Sequence, residues 1–427
     1  MKQRNFGILI AVVAASSLAA RGSADQTPKT LRKLSDGTVV VAGSAGSDAY
    51  FSQRFDTTGK RLKTLSLLSL HLPVAAQYLA IAGDGGTVVL SSTATGGLWV
   101  NKYGPSGRQA WLSAATYRGA GGGADVPVSV VIDTAGDVVV LARTRTAADR
   151  ANYATWKIDG TTGTTRWGPR FYDGSSSGDS IPVAMTLDPA DNVIVTGYLF
   201  NGTDEDGVTL MYDGATGDRI GATMVLAVPG HNDRSLAIVA GSDSLTVAST
   251  TSGDGQVALV TARYDRTTGA PIWSTRTFAP VGDHLVPTAA VLDAAGNLFV
   301  TGWDMDFATG FAYETMKFDG VSGSLVWGPV RTGTNGFPVA ITVVAGNPIV
   351  TGYTTNAAGN SDISTYGFDG GTGARQWVST FNGAANGDDV PVALAADGLG
   401  EFWMTGRSDT RSGIQAVTMR RDALTGL

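Results

Sequence analysis

The three histidines are the residues of this sequence whose type and spacing first suggest chemistry. His231 and His284 lie 53 residues apart, which predicts equivalent positions in consecutive structural units, and His71 is expected in the corresponding connection upstream. Asp233 follows His231 by two residues, and Asp283 directly precedes His284. Imidazole and carboxylate groups can ligate a transition metal or exchange protons with a substrate. The candidate ligand or metal residues are therefore His231, His284, Asp233 and Asp283. Ordinary residues of solvated loops explain the same pattern, and the sequence does not identify a metal.

Acidic residues recur at two kinds of position. One set precedes long apolar runs: Asp125, Asp179, Asp233, Asp283, Asp388 and Asp389. Converging carboxylates could bind Ca²⁺ or act as an acid/base pair on a sugar, but turn aspartates that accept backbone hydrogen bonds explain the recurrence more simply. A second set precedes tight turns and is predicted to be structural: Asp133, Asp188, Asp293 and Asp397.

Other catalytic signatures are missing from the sequence. The chain has no cysteine, which excludes disulfides, thiolate metal sites and a cysteine nucleophile. It also has no nucleophile elbow, phosphate-binding loop or zinc signature. The sequence therefore predicts no catalytic residue and no cofactor, and any site is expected in loops.

An internal repeat supplies the elements that position these residues. A phrase close to aromatic-Asp-x-x-Thr-Gly-x-x-x-Trp occurs in four close copies and four weaker ones, 48 to 56 residues apart. Its shared glycines are Gly59, Gly107, Gly163, Gly217, Gly269, Gly323, Gly373 and Gly426. Such even spacing indicates a repeat architecture.

Each repeat is predicted to form four antiparallel strands. Two β-rich runs joined by an Asp/Gly/Asn turn come first, as in VPTAAVLDAAGNLFVTG. A third strand leads into the Asp-x-x-Thr-Gly turn, and a fourth carries the tryptophan. The first run is apolar almost throughout, which predicts a strand buried on both faces. The other runs alternate like half-buried strands.

Units of this kind stack around an axis, because one four-stranded sheet cannot bury both of its faces. The prediction is an all-β fold, a single β-propeller over residues 25–427 with eight four-stranded blades and the first strand innermost. The termini would close the ring. Seven blades with irregular ends are the alternative, because few residues remain to complete the eighth blade.

The repeat phrases resemble two related groups of propellers. AAVLDAAGNLFVTG resembles the bacterial SBBP-type β-propeller repeat, and the phrase that ends in tryptophan is similar to the docking motif of pyrroloquinoline-quinone-type propellers. The resemblance implies that five tryptophans dock between neighbouring blades: Trp111, Trp167, Trp273, Trp327 and Trp377. Blades one and four depart from the motif, with Lys63 and Gly221 at the tryptophan position. Alcohol-oxidising quinoproteins have a disulfide between adjacent cysteines. This disulfide cannot form here, so the resemblance does not predict quinone-dependent alcohol oxidation by this protein.

Residues 1–24 have the layout of a secretory signal peptide. Lys2 and Arg4 precede an apolar run from Phe6 to Ala15, and small residues follow. Arg21 stands where a lipoprotein processing site would need a cysteine. The sequence therefore predicts a protein that is secreted, periplasmic or at the cell surface, without lipidation and without a transmembrane span in the mature chain.

Composition and charge narrow the choice of partner. A net charge of −6 and a pI near 5.1 argue against a nucleic-acid partner. The leading hypothesis is an exported, non-enzymatic, monomeric propeller that binds an envelope or extracellular protein or glycan. The alternative is a glycan-active hydrolase or lyase with a loop-borne site at one channel mouth, and a purely structural envelope protein is a third possibility.

Overall fold

The structure is a computed structural model that describes residues 25–46, 49–66, 76–174, 178–253, 255–279, 284–306, 310–333 and 335–427. Within these ranges the chain consists of 31 β-strands joined by turns and loops. The same ranges contain no helix long and apolar enough to cross a membrane.

The first four sheets, which we call blades, each contain four antiparallel strands in chain order. Blade one contains β1 (Gln26–Lys33), β2 (Val39–Ala45), β3 (Ala49–Phe55) and β4 (Arg61–Ser66). Blade two contains β5 (Tyr78–Ile81), β6 (Thr87–Ser92), β7 (Leu98–Tyr103) and β8 (Ala115–Tyr117). Blade three contains β9 (Val126–Ile132), β10 (Val138–Arg145), β11 (Ala151–Ile158) and β12 (Thr165–Tyr172). Blade four contains β13 (Ser180–Leu187), β14 (Val193–Phe200), β15 (Glu205–Tyr212) and β16 (Met224–Leu226).

The second half of the chain repeats the order within each blade, except that the last blade has three strands and that one parallel bridge, between Val257 and His284, joins the sheets of blades five and six. Blade five contains β17 (Asn232–Ala240), β18 (Ser244–Gly253), β19 (Gln256–Asp265) and β20 (Pro271–Thr277). Blade six contains β21 (His284–Leu292), β22 (Leu298–Asp306), β23 (Gly310–Phe318) and β24 (Leu325–Thr332). Blade seven contains β25 (Gly336–Val344), β26 (Asn347–Thr355), β27 (Ser361–Phe368) and β28 (Arg375–Phe381). Blade eight contains β29 (Asp389–Ala396), β30 (Glu401–Thr410) and β31 (Gly413–Asp422).

The blades form a closed ring. The first strand of each blade contacts the first strand of the next, and β1 contacts all three strands of blade eight. Eight apolar clusters of buried residues each lie between two neighbouring blades, including one between blades eight and one. This eight-bladed β-propeller confirms the predicted fold class and replaces the seven-bladed alternative.

The prediction that the first strand is buried on both faces fails in blade three, whereas β13 and β25 each have six buried residues. Residues of β9 are mostly half-exposed, whereas β11 is buried along its full length. A first strand has no strand beyond its axial edge. Second and third strands have a strand on each edge and a blade against each face, and they therefore form the core.

Blade eight leaves one strand edge open. Residues of β31 are half-exposed along the whole strand, and within the described ranges no strand pairs with its outer edge. The carboxylate of Asp25 accepts the N–H of Ile414 at 2.8 Å. The N-terminal end of the described ring therefore lies against the start of β31.

Candidate functional site

The two ends of the ring differ in how they join strands. At one end, which we call the turn end, tight turns connect the first strand to the second and the third strand to the fourth. At the other end, which we call the loop end, the second strand is connected to the third and each blade is connected to the next. The connections 118–125 and 227–231 lie at the loop end.

Aspartates organise the tight turns at the turn end. The Oδ1 atom of Asp293 accepts the N–H groups of Ala295 and Asn297. Comparable bonds from later backbone N–H groups reach Asp133, Asp188 and Asp397. These contacts agree with the structural role predicted for the second set of acids.

Each of the five tryptophans lies against the next blade. The indole N–H of Trp327 donates to the carbonyl oxygen of Gly370 at 3.1 Å. Its ring covers Gly373, which has a φ of +75° and where a Cβ atom would come within 2.6 Å of the indole. The equivalent bonds join Trp111 to Gly160, Trp167 to Gly214, Trp273 to Gly320 and Trp377 to Ala423.

Sequence analysis missed a cationic partner of these tryptophans. The Nζ atom of Lys317 donates to the carbonyl of Gly370 at 2.8 Å, so this oxygen accepts bonds from both Lys317 and Trp327. The same arrangement recurs in three other blades, through Lys102, Lys157 and Arg263. The sequence contained a signal in three of these four blades, where a Lys or Arg stands two residues before the turn aspartate, as in KFDG and KIDG. Lys102 instead stands two residues before Gly104.

The boundary between blades four and five is built differently. Gly221 occupies the tryptophan position of blade four, and backbone atoms of Ala222 lie against Gly269 in place of an indole ring. The N–H of Ala222 is 3.5 Å from the carbonyl oxygen of Thr268. Lys63 lies in β4, and its side chain is outside the described part of the chain.

Three of the loop-end acids are buried and hold inter-blade connections. Their Oδ2 atoms accept backbone bonds, Asp125 from Gly119, Asp233 from Val228 and Asp389 from Gly383. Burial raises the pKa of Asp125 and Asp233, although these bonds lower it. Each of the three acids lies two residues before the bulge in its first strand. The recurrence of these aspartates before the first strands is therefore explained by their hydrogen bonds to the connections between blades.

Two further acids lie one residue earlier in their connections. Asp179 accepts the N–H of Ala151 at 2.7 Å, and Asp388 accepts the N–H of Ser361 at 2.9 Å. Each of these bonds fixes the start of a third strand. Asp283 and His71 lie outside the described residues.

His231 lies over Gly253 at the loop end of blade five. A Cβ atom on Gly253 would come within 2.5 Å of the imidazole, and Nδ1 is 3.4 Å from the hydroxyl of Thr251. Burial raises the pKa of nearby Asp233, while Thr251 and the charge of His231 lower it. The structure therefore places the candidate pair His231 and Asp233 together, with the aspartate out of contact with solvent.

His284 does not share the register position of His231. The bulge of blade five falls at Ser235 and that of blade six at Pro287, so His284 aligns with Asn232. Successive residues of a strand point to opposite faces, and the 53-residue spacing does not give the two histidines equivalent positions. Within the described ranges, no group of three His, Asp or Glu residues is placed to hold a metal ion.

The acidic loop of blade four packs on the connection to blade five. Asp204 accepts the N–H of Gly230 at 2.8 Å. Glu205 forms a two-pronged ion pair with Arg234, whose guanidinium lies 4.9 Å from the centre of the Tyr198 ring. These acidic side chains hold the loops of two blades together.

An open cavity of about 420 Å³ lies at the loop end of blade three. It is lined by Tyr117, Ala120, Arg145, Thr146, Asn152, Phe171 and Asp173. None of these residues was singled out from the sequence, because no motif links the four strands and three connections within residues 117–173 from which they come.

A buried ion cluster lies within blade six. Glu314 is fully buried, and neither of its carboxylate oxygens has a hydrogen-bond partner in the described structure. The Nε atom of Arg331 donates to Asp304 at 3.0 Å and lies 4.0 Å from Glu314. Burial and then the charge of Asp304 raise the pKa of Glu314 to about 8, so this carboxyl is largely protonated at neutral pH.

Solved structures with a similar arrangement include two quinohemoprotein alcohol dehydrogenases. That of Pseudomonas putida HK5 is 12% identical, with a TM-score of 0.49 and coverage of 91% of this chain and 72% of that one. That of Comamonas testosteroni is 13% identical, with a TM-score of 0.49 and coverage of 91% and 71%. A protein from Lactobacillus plantarum is 14% identical, with a TM-score of 0.44 and coverage of 78% and 91%. No protein-family model and no curated protein matches the chain.

These values carry no inference about activity. The propeller assignment rests on the strand order and on the closed ring of blade contacts.

Proposed function

We propose that the chain is an exported, non-enzymatic propeller that acts as a monomeric binding or scaffold module at the cell envelope or outside the cell. In this proposal residues 1–24 are a signal peptide that is not lipidated, and the repeats are of the SBBP type. The charge pattern of the N-terminal segment supports export. The partner is an envelope or extracellular protein or glycan.

The observation that supports a binding role is the structural difference between the two ends of the ring. At the turn end, tryptophan, lysine and arginine side chains bind carbonyl groups of the next blade. At the loop end, longer connections surround an open cavity. Loops held by a rigid scaffold commonly carry binding sites.

Export is tested with a reporter enzyme fused after residue 30. We expect the reporter outside the cytoplasm, with the N-terminal segment removed. A control in which Ile10 and Val12 are replaced by Asp should remain inside, because charges interrupt the apolar run. A wild-type fusion retained in the cytoplasm would contradict the proposal.

Binding is tested with immobilised residues 25–427 against separate protein and polysaccharide fractions of the envelope. We expect saturable binding to one fraction. Unfolded protein of the same sequence is the control for non-specific adsorption. Absence of saturable binding to both fractions would remove the binding role.

The charge of His231 acts on the buried carboxyl of Asp233, and this proximity favours the alternative, a glycan-active hydrolase or lyase. A combined His231→Ala and His284→Ala variant separates the two functions. It should lose all turnover of polysaccharide if the alternative is right. Under the binding proposal, neither wild type nor variant shows turnover and both bind the same fraction.

A further inference from the structure

The cavity of blade three has one aromatic wall. Phe171 is 53% exposed, and its ring centre lies 6.3 Å from that of Tyr117 at an angle of 45°. Tyr117 in turn packs 5.5 Å from Trp156, which is only 4% exposed. The wall is therefore an exposed phenylalanine supported by two more deeply placed rings.

The polar groups of the cavity are held in place by neighbours. Asn152 is 5% exposed, and its Oδ1 accepts the hydroxyl proton of Thr144, which fixes the orientation of its amide. Arg150 holds Asp173 at 3.1 Å, and Arg145 donates to the carbonyl of Asp149 at 2.7 Å. Such supporting contacts pre-organise side chains for binding.

The lining of the cavity has no cluster of cationic groups. Its charged residues are one guanidinium, from Arg145, and one carboxylate, from Asp173, so the lining itself has no excess of either charge. A phosphate or nucleotide ligand calls for an excess of cationic groups. The combination of amide, carboxylate, hydroxyl and guanidinium groups can both donate and accept, as the hydroxyl groups of a sugar require.

We propose that this cavity binds a pyranose unit of a glycan. The inference rests on the proposed binding function and names its ligand class. The apolar C–H face of the sugar would lie on Phe171, and its hydroxyl groups would meet Asn152, Asp173 and Arg145. A volume of about 420 Å³ is within the range of small-molecule sites, and the open side leaves room for the rest of the glycan chain.

The test uses glucose, galactose, mannose and N-acetylglucosamine as probes, with binding observed by saturation-transfer NMR on the purified protein. We expect transfer to the ring protons of at least one sugar. Phe171→Ala should weaken that binding about tenfold, because the stacking surface is lost. Phe278→Ala is the matched control, since Phe278 is 48% exposed on the rim of blade five and should leave binding unchanged.

A second variant addresses the polar wall. Asn152→Asp keeps an acceptor for Thr144 but removes the amide donors, so sugar affinity should fall by a similar factor. Urea unfolding of the same variant checks that the fold is intact. An unchanged sugar affinity in both Phe171→Ala and Asn152→Asp would place the sugar elsewhere and overturn the inference.

The outcomes distinguish this inference from the proposed function. Saturable binding to envelope fractions without a signal from any of the four sugars would overturn the pyranose site and leave the binding role standing. Absence of both signals would remove both.

Discussion

At the scale of single residues, the buried acidic side chains differ in the interactions that compensate the free-energy cost of their burial. Asp125 and Asp233 each accept a backbone N–H that compensates part of the cost of burial. The side-chain carboxyl of Glu314 accepts no hydrogen bond in the described structure and has Asp304 and Arg331 as charged neighbours. Its protonation is therefore expected to affect stability.

Glu314 gives a prediction about pH. Its carboxyl has a pKa of about 8 in the folded protein against an ordinary value of 4.5, so the folded state holds the proton more tightly than the unfolded chain. The resulting stability is complete below pH 4.5 and is lost as the pH rises through 8. Glu314→Gln should remove this dependence, which amounts to a few kcal/mol across the range. Urea unfolding at pH 5, 7 and 9 measures it, and parallel curves for wild type and variant would contradict it.

At the scale of elements, the boundary between two blades depends on a shared acceptor. Trp327 and Lys317 both donate to Gly370, and loss of either leaves the other bond in place. At the next boundary Trp377 donates to Ala423, and Gly367 stands where Lys317 stands in blade six. The acceptor carbonyl thus receives bonds from two side chains at some blade boundaries and from the tryptophan alone at others.

A double-mutant cycle tests the shared acceptor. Trp327→Phe and Lys317→Met should each lower the free energy of unfolding by about 1 kcal/mol. The double variant should lose more than the sum, because the Gly370 carbonyl is then left without either donor. Trp327→Ala, which also empties the space over Gly373, should cost about 3–5 kcal/mol. Additive losses in urea unfolding would show that the two bonds act independently.

At the scale of the whole molecule, the ring is least covered at blade eight. The N–H of Ile414 points away from β30 toward Asp25, and that of Asp422 toward Leu427. Because N–H directions alternate along a strand, those of Ala416, Thr418 and Arg420 point to the same open edge.

Hydrogen exchange measures this difference between blades. We expect the amides of Ala416, Thr418 and Arg420 to exchange much faster than those at the matching positions of β27, Ile363, Thr365 and Gly367, which face β28. Unpaired amides at a strand edge lack the protection of a ladder hydrogen bond. Equal protection in the two strands would mean that a further segment covers the edge of β31.

The architecture of the protein follows from features that lie within each repeat. The eight glycines at even spacing give the blade number, and the turn aspartates and docking tryptophans mark the strand order. These features could be predicted because each depends on residues within one repeat, where spacing along the chain translates directly into position in a strand or turn. The Lys or Arg that stands two residues before some of the turn aspartates, such as Lys157 and Lys317, was equally local and was overlooked.

Which side chains meet at the loop end depends on how the blades pack and cannot be derived from the repeat. A one-residue difference in register separates the positions of His231 and His284, and burial removes Asp233 from solvent. The cavity that contains Phe171 and Asn152 joins residues from four strands and their loops. Such contacts depend on the paths of irregular connections between blades, which a repeat of equal spacing does not specify.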